Sequence, residues 1–203
     1  MRDLSIRGAG DILGGEQSGF VDSIGVDTFL NMLNDEVKLL KGEKVVHDIV
    51  EQPLIEVANN ISDDYVLEED LKIEIHKKIN AINSLEKLNE LKFELEDRFG
   101  KLDDRIIIYM YEQLFEQKAK ELEIEKVDQT SEIISIILPK KYNDILDGDK
   151  LFVDVITLNR NFKFSMQLGS IIISLKISNL DKHYIYYLID LLDIIKKDIK
   201  ACL

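Results

Sequence analysis

The apolar period of this chain changes near residue 127, and that change restricts its fold class more than any other feature. Before it, apolar residues recur at helical spacing. Leu71, Ile75, Ile79 and Ile82 do so over 67–82, and Leu88, Leu91, Leu95 and Phe99 over 84–99. Ile107, Met110, Tyr111, Leu114, Phe115 and Leu122 continue the pattern over 103–123. Asn83 and Glu86 give the second segment a start resembling a capping box, and Gly100 suits its C-terminal turn. After 127 the runs become short and rich in β-branched and aromatic residues: "SEIISIILP" (131–139), "KLFVDVIT" (150–157), "FKFSMQL" (162–168) and "SIIISLKI" (170–177). "NRN" and Gly169 separate the last three, which predicts an antiparallel meander. A final helix is predicted over 180–199.

Helices followed by strands specify an α+β fold rather than repeated βαβ units. The expected arrangement is helices within 67–123 and a C-terminal helix packed on a small, mainly antiparallel sheet. Ahead of it lie a glycine-rich loop and one helix, "VDTFLNMLNDEVKLLKG" (26–42), closed by Gly42. Residues 43–52 read as a linker, and "PLIEVANN" (53–60) as a short strand with an Asn-Asn turn. The domains expected are therefore 1–42, a linker at 43–52, and 53–203. With 203 residues, 45% of them hydrophobic, the chain has material for one good core. It contains no internal repeat.

A net charge of −13 argues against a free-standing nucleic-acid clamp, because phosphate binding needs clustered Lys and Arg. The single cysteine, Cys202, excludes a disulfide framework and fits a reducing cytosol. The start lacks a basic region followed by an apolar one, so no signal peptide is read there. The apolar stretch "YIYYLIDLLDII" (184–195) is too short to span a bilayer and carries Asp190 and Asp193. A soluble cytoplasmic protein is expected. "MRDLSIRG" reads as the interior of a larger chain, since nothing before the loop could support it.

Most catalytic chemistry lacks its residues here. Gly8, Gly10 and Gly14 are spaced one residue too long for a dinucleotide fingerprint, and no hydrophobic strand precedes them. "GGEQSG" has no G-K-[ST], so it is not a phosphate-binding P-loop. His47, His76 and His183 lie far apart without Cys or Asp at ligand spacing, and read as surface or packing residues. There is no G-x-S-x-G elbow. By itself the chain is read as a non-enzyme without a cofactor or a metal.

Residues 63–126 hold 18 Asp and Glu against 11 Lys and Arg. Two readings remain open: a solvated outer face on amphipathic helices, or an electrostatic docking surface for a basic partner. "FELEDRFG" (93–100) is the place to look, because Glu94 and Asp97 share a helical side.

The opening stretch, Arg2 to Gly25, holds six of the ten glycines. "RDLSIRGAGDILGGEQSG" resembles the translocation motif that follows the second helicase lobe in RecG-type branch-migrating helicases and in the bacterial transcription-repair coupling factor family. The matching positions are Asp3, Leu4, Ile6, Arg7, Gly8, Gly10, Leu13, Gly14, Gln17, Ser18 and Gly19. "VDSIGVDTFLNMLNDEV" (21–37), "PLIEVANNISDDYV" and "ELEDRFG" are similar to the coupling-factor family, whose C-terminal domain RecG-type proteins lack. Ser62 departs from that pattern, standing where the family commonly has proline.

The resemblance implies a C-terminal piece of an ATP-dependent DNA translocase that removes stalled RNA polymerase and recruits nucleotide excision repair. Arg7 and Gln17, with Gly8 and Gly10, would couple ATP hydrolysis to movement on duplex DNA. Arginine offers a planar donor fork, glutamine can exchange partners, and glycine allows close backbone approach. ATP and Mg would sit in helicase lobes this chain does not carry. Residues 53–203 would pack against an N-terminal module resembling an excision-repair helicase, through Glu94 and Asp97, and mask the surface that binds the excision-repair adaptor UvrA. The alternative is a stand-alone acidic protein-interaction domain with no motor function.

Overall fold

The computed structural model of the chain describes residues 54–55, 61, 65–124 and 126–202. The glycine-rich opening with Arg7, Gly8, Gly10 and Gln17, the helix expected at 26–42, the linker and Ser62 all lie outside the described residues. The described residues belong to one compact unit, Pro53–Leu203.

Among the described residues are five helices and four strands. Helix α1 spans Glu69–Asn80, α2 Leu85–Phe99 and α3 Asp104–Glu121. Strands β1, Lys126–Gln129, and β2, Ile133–Ile137, lead through a 3-10 turn at Lys140–Tyr142 into α4, Gly148–Leu158. Strands β3, Phe162–Gln167, and β4, Ser170–Lys176, precede α5, Tyr184–Cys202. The fold is α+β, as the change of period predicts.

Local chemistry sets the helix ends. Ser84, in extended conformation, caps α2 by accepting from Lys87 N–H at 3.3 Å, one residue later than the expected Asn83. Gly100 ends α2 at φ +83°, a conformation open to glycine without strain. Asp103 caps α3, accepting from Arg105 N–H at 2.8 Å.

The segment expected as a third strand, 150–157, is instead helix α4. Leu151 and Val155, four apart, are its buried positions, while Phe152 and Val153 are exposed. Its start is secured by Asp147, whose Oδ1 accepts from Asp149 N–H and Lys150 N–H, each at 3.1 Å. A β-branched run thus became helical because its cap and its buried spacing outweighed its propensity. The strand expected from residue 53 is likewise absent at its described residues. Leu54 N–H and Ile55 N–H donate not to a sheet but to Glu116 Oε1 on α3, at 2.7 and 3.4 Å.

The sheet order is β1-β2-β4-β3, with every pairing antiparallel. It is not a meander, because β4 lies between β2 and β3. Register puts Ile134, Ile136, Ile173, Leu175 and Phe162 on one face, and these join α1–α5 residues in a single core. The opposite face carries Ser135 and Ser174, whose hydroxyls meet at 2.8 Å. Tyr111 of α3 meets Tyr186 of α5 edge-on, with ring centroids 4.6 Å apart.

Candidate docking surface on the second helix

Helix α2 buries Leu88, Leu91 and Leu95, and that stripe determines which residues face out. On one flank, Lys78 of α1 reaches Glu94 at 2.5 Å and its own-helix neighbour Glu74 at 3.1 Å. Arg98 closes the ring, 3.3 Å from Glu94 and 3.6 Å from Glu74. The Lys78 hydrogen bond, more than any other cause, holds both Glu94 and Glu74 below the usual carboxylate range. Its bonds to Glu94 and Glu74 raise Lys78 in turn. All four groups are solvated enough for water and salt to weaken the ring, so it orients α1 against α2 more than it stabilises the pair.

Phe99 pins the end of the helix. Its ring lies under the Arg98 guanidinium at 5.0 Å and beside Tyr65 at 5.9 Å. Tyr65 OH donates to Leu95 C=O at 3.3 Å, and burial followed by the charge of Glu96 raises the phenol.

The outward side is different. Leu85, Glu86, Asn89, Glu90, Phe93, Glu96 and Asp97 are exposed. Phe93 is 75% exposed, although its helical neighbours one turn away include Glu90 and Asp97. A bare aromatic among carboxylates offers an apolar anchor inside a negative rim, the composition of a contact surface for a basic, partly apolar partner. Sequence reasoning missed Phe93. Its signal was available, since Phe93 falls off the stripe formed by 88, 91, 95 and 99.

Glu94 and Asp97 therefore share a side of α2 but not an environment. Glu94 is half-buried in the Lys78–Arg98 ring, whereas Asp97 projects beside Phe93 and forms no ion pair among the described residues. Other candidates are structural. His76 is buried with Nδ1 3.2 Å from Tyr109 OH, which donates to Asn80 at 2.7 Å. His183 stands at the start of α5. His47 lies outside the described residues. Among the described residues, no group of His, Cys, Asp and Glu is placed to hold a metal ion. Nor is any helix there long and apolar enough to cross a membrane.

Residues 55–147 match the family model described as the TRCF domain, and this span includes α1–α3, β1 and β2. The chain carries a TRCF domain. It is 34% identical to the transcription-repair-coupling factor of Staphylococcus aureus (strain USA300) over 185 residues, which is 88% of this chain and 16% of that protein. It is 30% identical to that of Bacillus subtilis (strain 168) over 153 residues, 75% of this chain and 13% of the relative. The TRCF domain here thus belongs to a chain spanning only a small part of its curated relatives' length. The fold is similar to a crystal structure of the C-terminal domain of transcription-repair coupling factor, with TM-score 0.58 and 21% identity, covering 73% of this chain and 91% of that one. The alignment covering 88% of the chain must also reach residues before the TRCF domain, because the unit from Pro53 onward is too short to supply it.

Proposed function

We propose that this chain is the C-terminal part of an ATP-dependent DNA translocase that removes stalled RNA polymerase and recruits nucleotide excision repair. The TRCF domain serves as its autoinhibitory module. The observation that carries the proposal is the outward face of α2, where exposed Phe93 and Asp97 sit within a domain similar to coupling factors. An acidic rim around one aromatic suits docking on a basic surface of the same protein, which would hide the adaptor-binding site until the contact opens. The partner surface is the N-terminal module resembling an excision-repair helicase, and the adaptor is UvrA. The alignments that continue ahead of residue 53 favour this reading over a stand-alone interaction domain.

Residues 1–42 are proposed to couple ATP hydrolysis to movement on duplex DNA through Arg7, Gln17, Gly8 and Gly10. Nucleotide and Mg belong to helicase lobes outside this chain, whose glycine-rich segment has no G-K-[ST] to grip phosphate. The chain alone is expected to hydrolyse no ATP.

The ion-pair ring sharpens the test. Reversing Glu94 also breaks its pairs with Lys78 and Arg98, so Asp97→Lys is the cleaner probe of docking. In the full-length translocase, Asp97→Lys combined with Phe93→Ser is expected to raise UvrA retention about tenfold, as loss of a central contact would. Retention equal to that of the unaltered protein would remove the masking role.

A further inference from the structure

We propose that the outer edge of β3 is a strand-addition site for an extended partner segment in which apolar and acidic residues alternate. Among the described residues the sheet has two outer strands, β1 and β3, and they differ. Strand β1 is four residues long and carries a Lys126–Asp128 ion pair at 3.3 Å, the kind of charged edge that discourages pairing. Strand β3 is six residues, "FKFSMQ", with Lys163 its one charge.

Backbone alternation determines what that edge offers. Lys176 N–H donates to Asn161 C=O at 3.1 Å, so 161, 163, 165 and 167 turn their peptide groups toward β4. Phe164 and Met166 consequently turn N–H and C=O outward, and no backbone bond reaches those groups among the described residues. Phe162 N–H is already used, donating to Asn159 C=O at 3.3 Å.

The side chains specify the occupant. Phe164 and Met166 share a sheet face with α4, where the Phe152 ring lies 5.4 Å from that of Phe164. Met166 is 68% exposed and Phe152 49%, so this apolar row stops at an edge that no strand among the described residues pairs with. Beyond it, Leu168 is 88% exposed at the hairpin tip and holds φ +51°, a conformation that strains a leucine and suits Asn or Gly. On the other face Lys163 stands beside Ser165 and Gln167. From Val155 to Leu180 the chain contains Arg160, Lys163 and Lys176 but no Asp or Glu, although it has 39 acids in all.

An added strand continues both faces of its neighbour. Its apolar side chains extend the row of Phe152, Phe164 and Met166, and its intervening carboxylates meet Lys163. A second copy fits less well, because self-pairing brings Lys163 and Arg160 of both copies to one edge. Nucleic-acid phosphates find cations here only singly, separated by apolar side chains.

The test is fluorescence anisotropy on the whole chain, using a labelled peptide of alternating Glu and Val. A Lys–Val alternating peptide, a peptide of the same Glu and Val content in two blocks, and a DNA duplex serve as competitors. The Glu–Val alternating peptide is expected to bind, shifting the amide resonances of Phe164 and Met166, with each competitor at least about tenfold weaker. Met166→Pro, which removes an outward donor, should abolish binding, provided circular dichroism shows the fold retained. Lys163→Glu alters only an exposed side chain and should transfer preference to the Lys–Val peptide. Absence of binding, equal binding of the blocked peptide, a Lys163→Glu variant with unchanged preference, tighter binding of the duplex, or dimerisation through this edge would each overturn the proposal.

Discussion

At the start of α5, His183 does the work of a capping residue. Its Nδ1 accepts from Ile185 N–H at 3.4 Å, and its ring lies 4.1 Å from that of Tyr184. Burial lowers its pKa below the ordinary 6.5, because desolvation disfavours the imidazolium. With the folded value depressed, the unfolded chain takes up the proton first as pH falls. The stability contributed by neutral His183 is therefore complete above 6.5 and is lost progressively below it. His183→Asn keeps a side-chain acceptor but cannot titrate. Urea titrations are expected to show wild type losing stability relative to this variant between about pH 7 and about pH 5. A difference that does not change with pH would contradict the capping role. Nothing in the local pattern announces this residue, because the apolar period places the helix start at 180. The residues proposed for docking are more legible: the spacing of Glu94 and Asp97 marks them, and the resemblance to coupling factors points to the same pair. Their difference in environment does not, since it comes from Lys78, sixteen residues from Glu94 in sequence.

Helices α1–α3 are local objects, and their apolar stripes, with the start of α2 expected near Asn83 and its stop at Gly100, suffice to locate them within a few residues. The caps prove to be Ser84 and Asp103. Helix α4 shows where such reading fails. "KLFVDVIT" has strand composition, yet Asp147 holds the free N–H groups of Asp149 and Lys150, and the spacing of Leu151 and Val155 presents one helical side to the core. If the cap selects the helix, Asp147→Ala should cost about 1 kcal/mol, while Asp147→Ser should cost only a few tenths. Denaturant midpoints of the two variants measure this. Equal midpoints would show that packing of Leu151 and Val155 decides α4 without the cap. Strand β1 escapes sequence reading for another reason. "KVDQ" has four residues and little apolar content, and it becomes a strand by pairing with β2.

Across the molecule, α4 and α5 are tied by Lys150 and the buried Asp198. The second carboxylate oxygen of Asp198 has no hydrogen-bond partner among the described residues, so Lys150 is its principal compensation. Removing the lysine strands a buried charge, whereas removing both groups does not. Because Lys150 is half-exposed, Lys150→Met is expected to cost about 2 kcal/mol, and adding Asp198→Leu to recover part of that loss. Denaturant midpoints of the single and double variants measure both effects. A double variant less stable than Lys150→Met would contradict this account. The α+β class, the three helical stripes, the concentration of acids on 63–126 and the resemblance to coupling factors can all be read along the chain. Each of these resides in spacing or composition along the chain, which neighbouring residues impose on one another. The folded arrangement is what made 148–158 helical and set β4 between β2 and β3. It also decided that Glu94 is engaged while Phe93 and Asp97 are presented, and that no strand among the described residues pairs with the outer edge of β3. Those outcomes depend on partners distant in sequence, where the free energy of packing and pairing outweighs local preference.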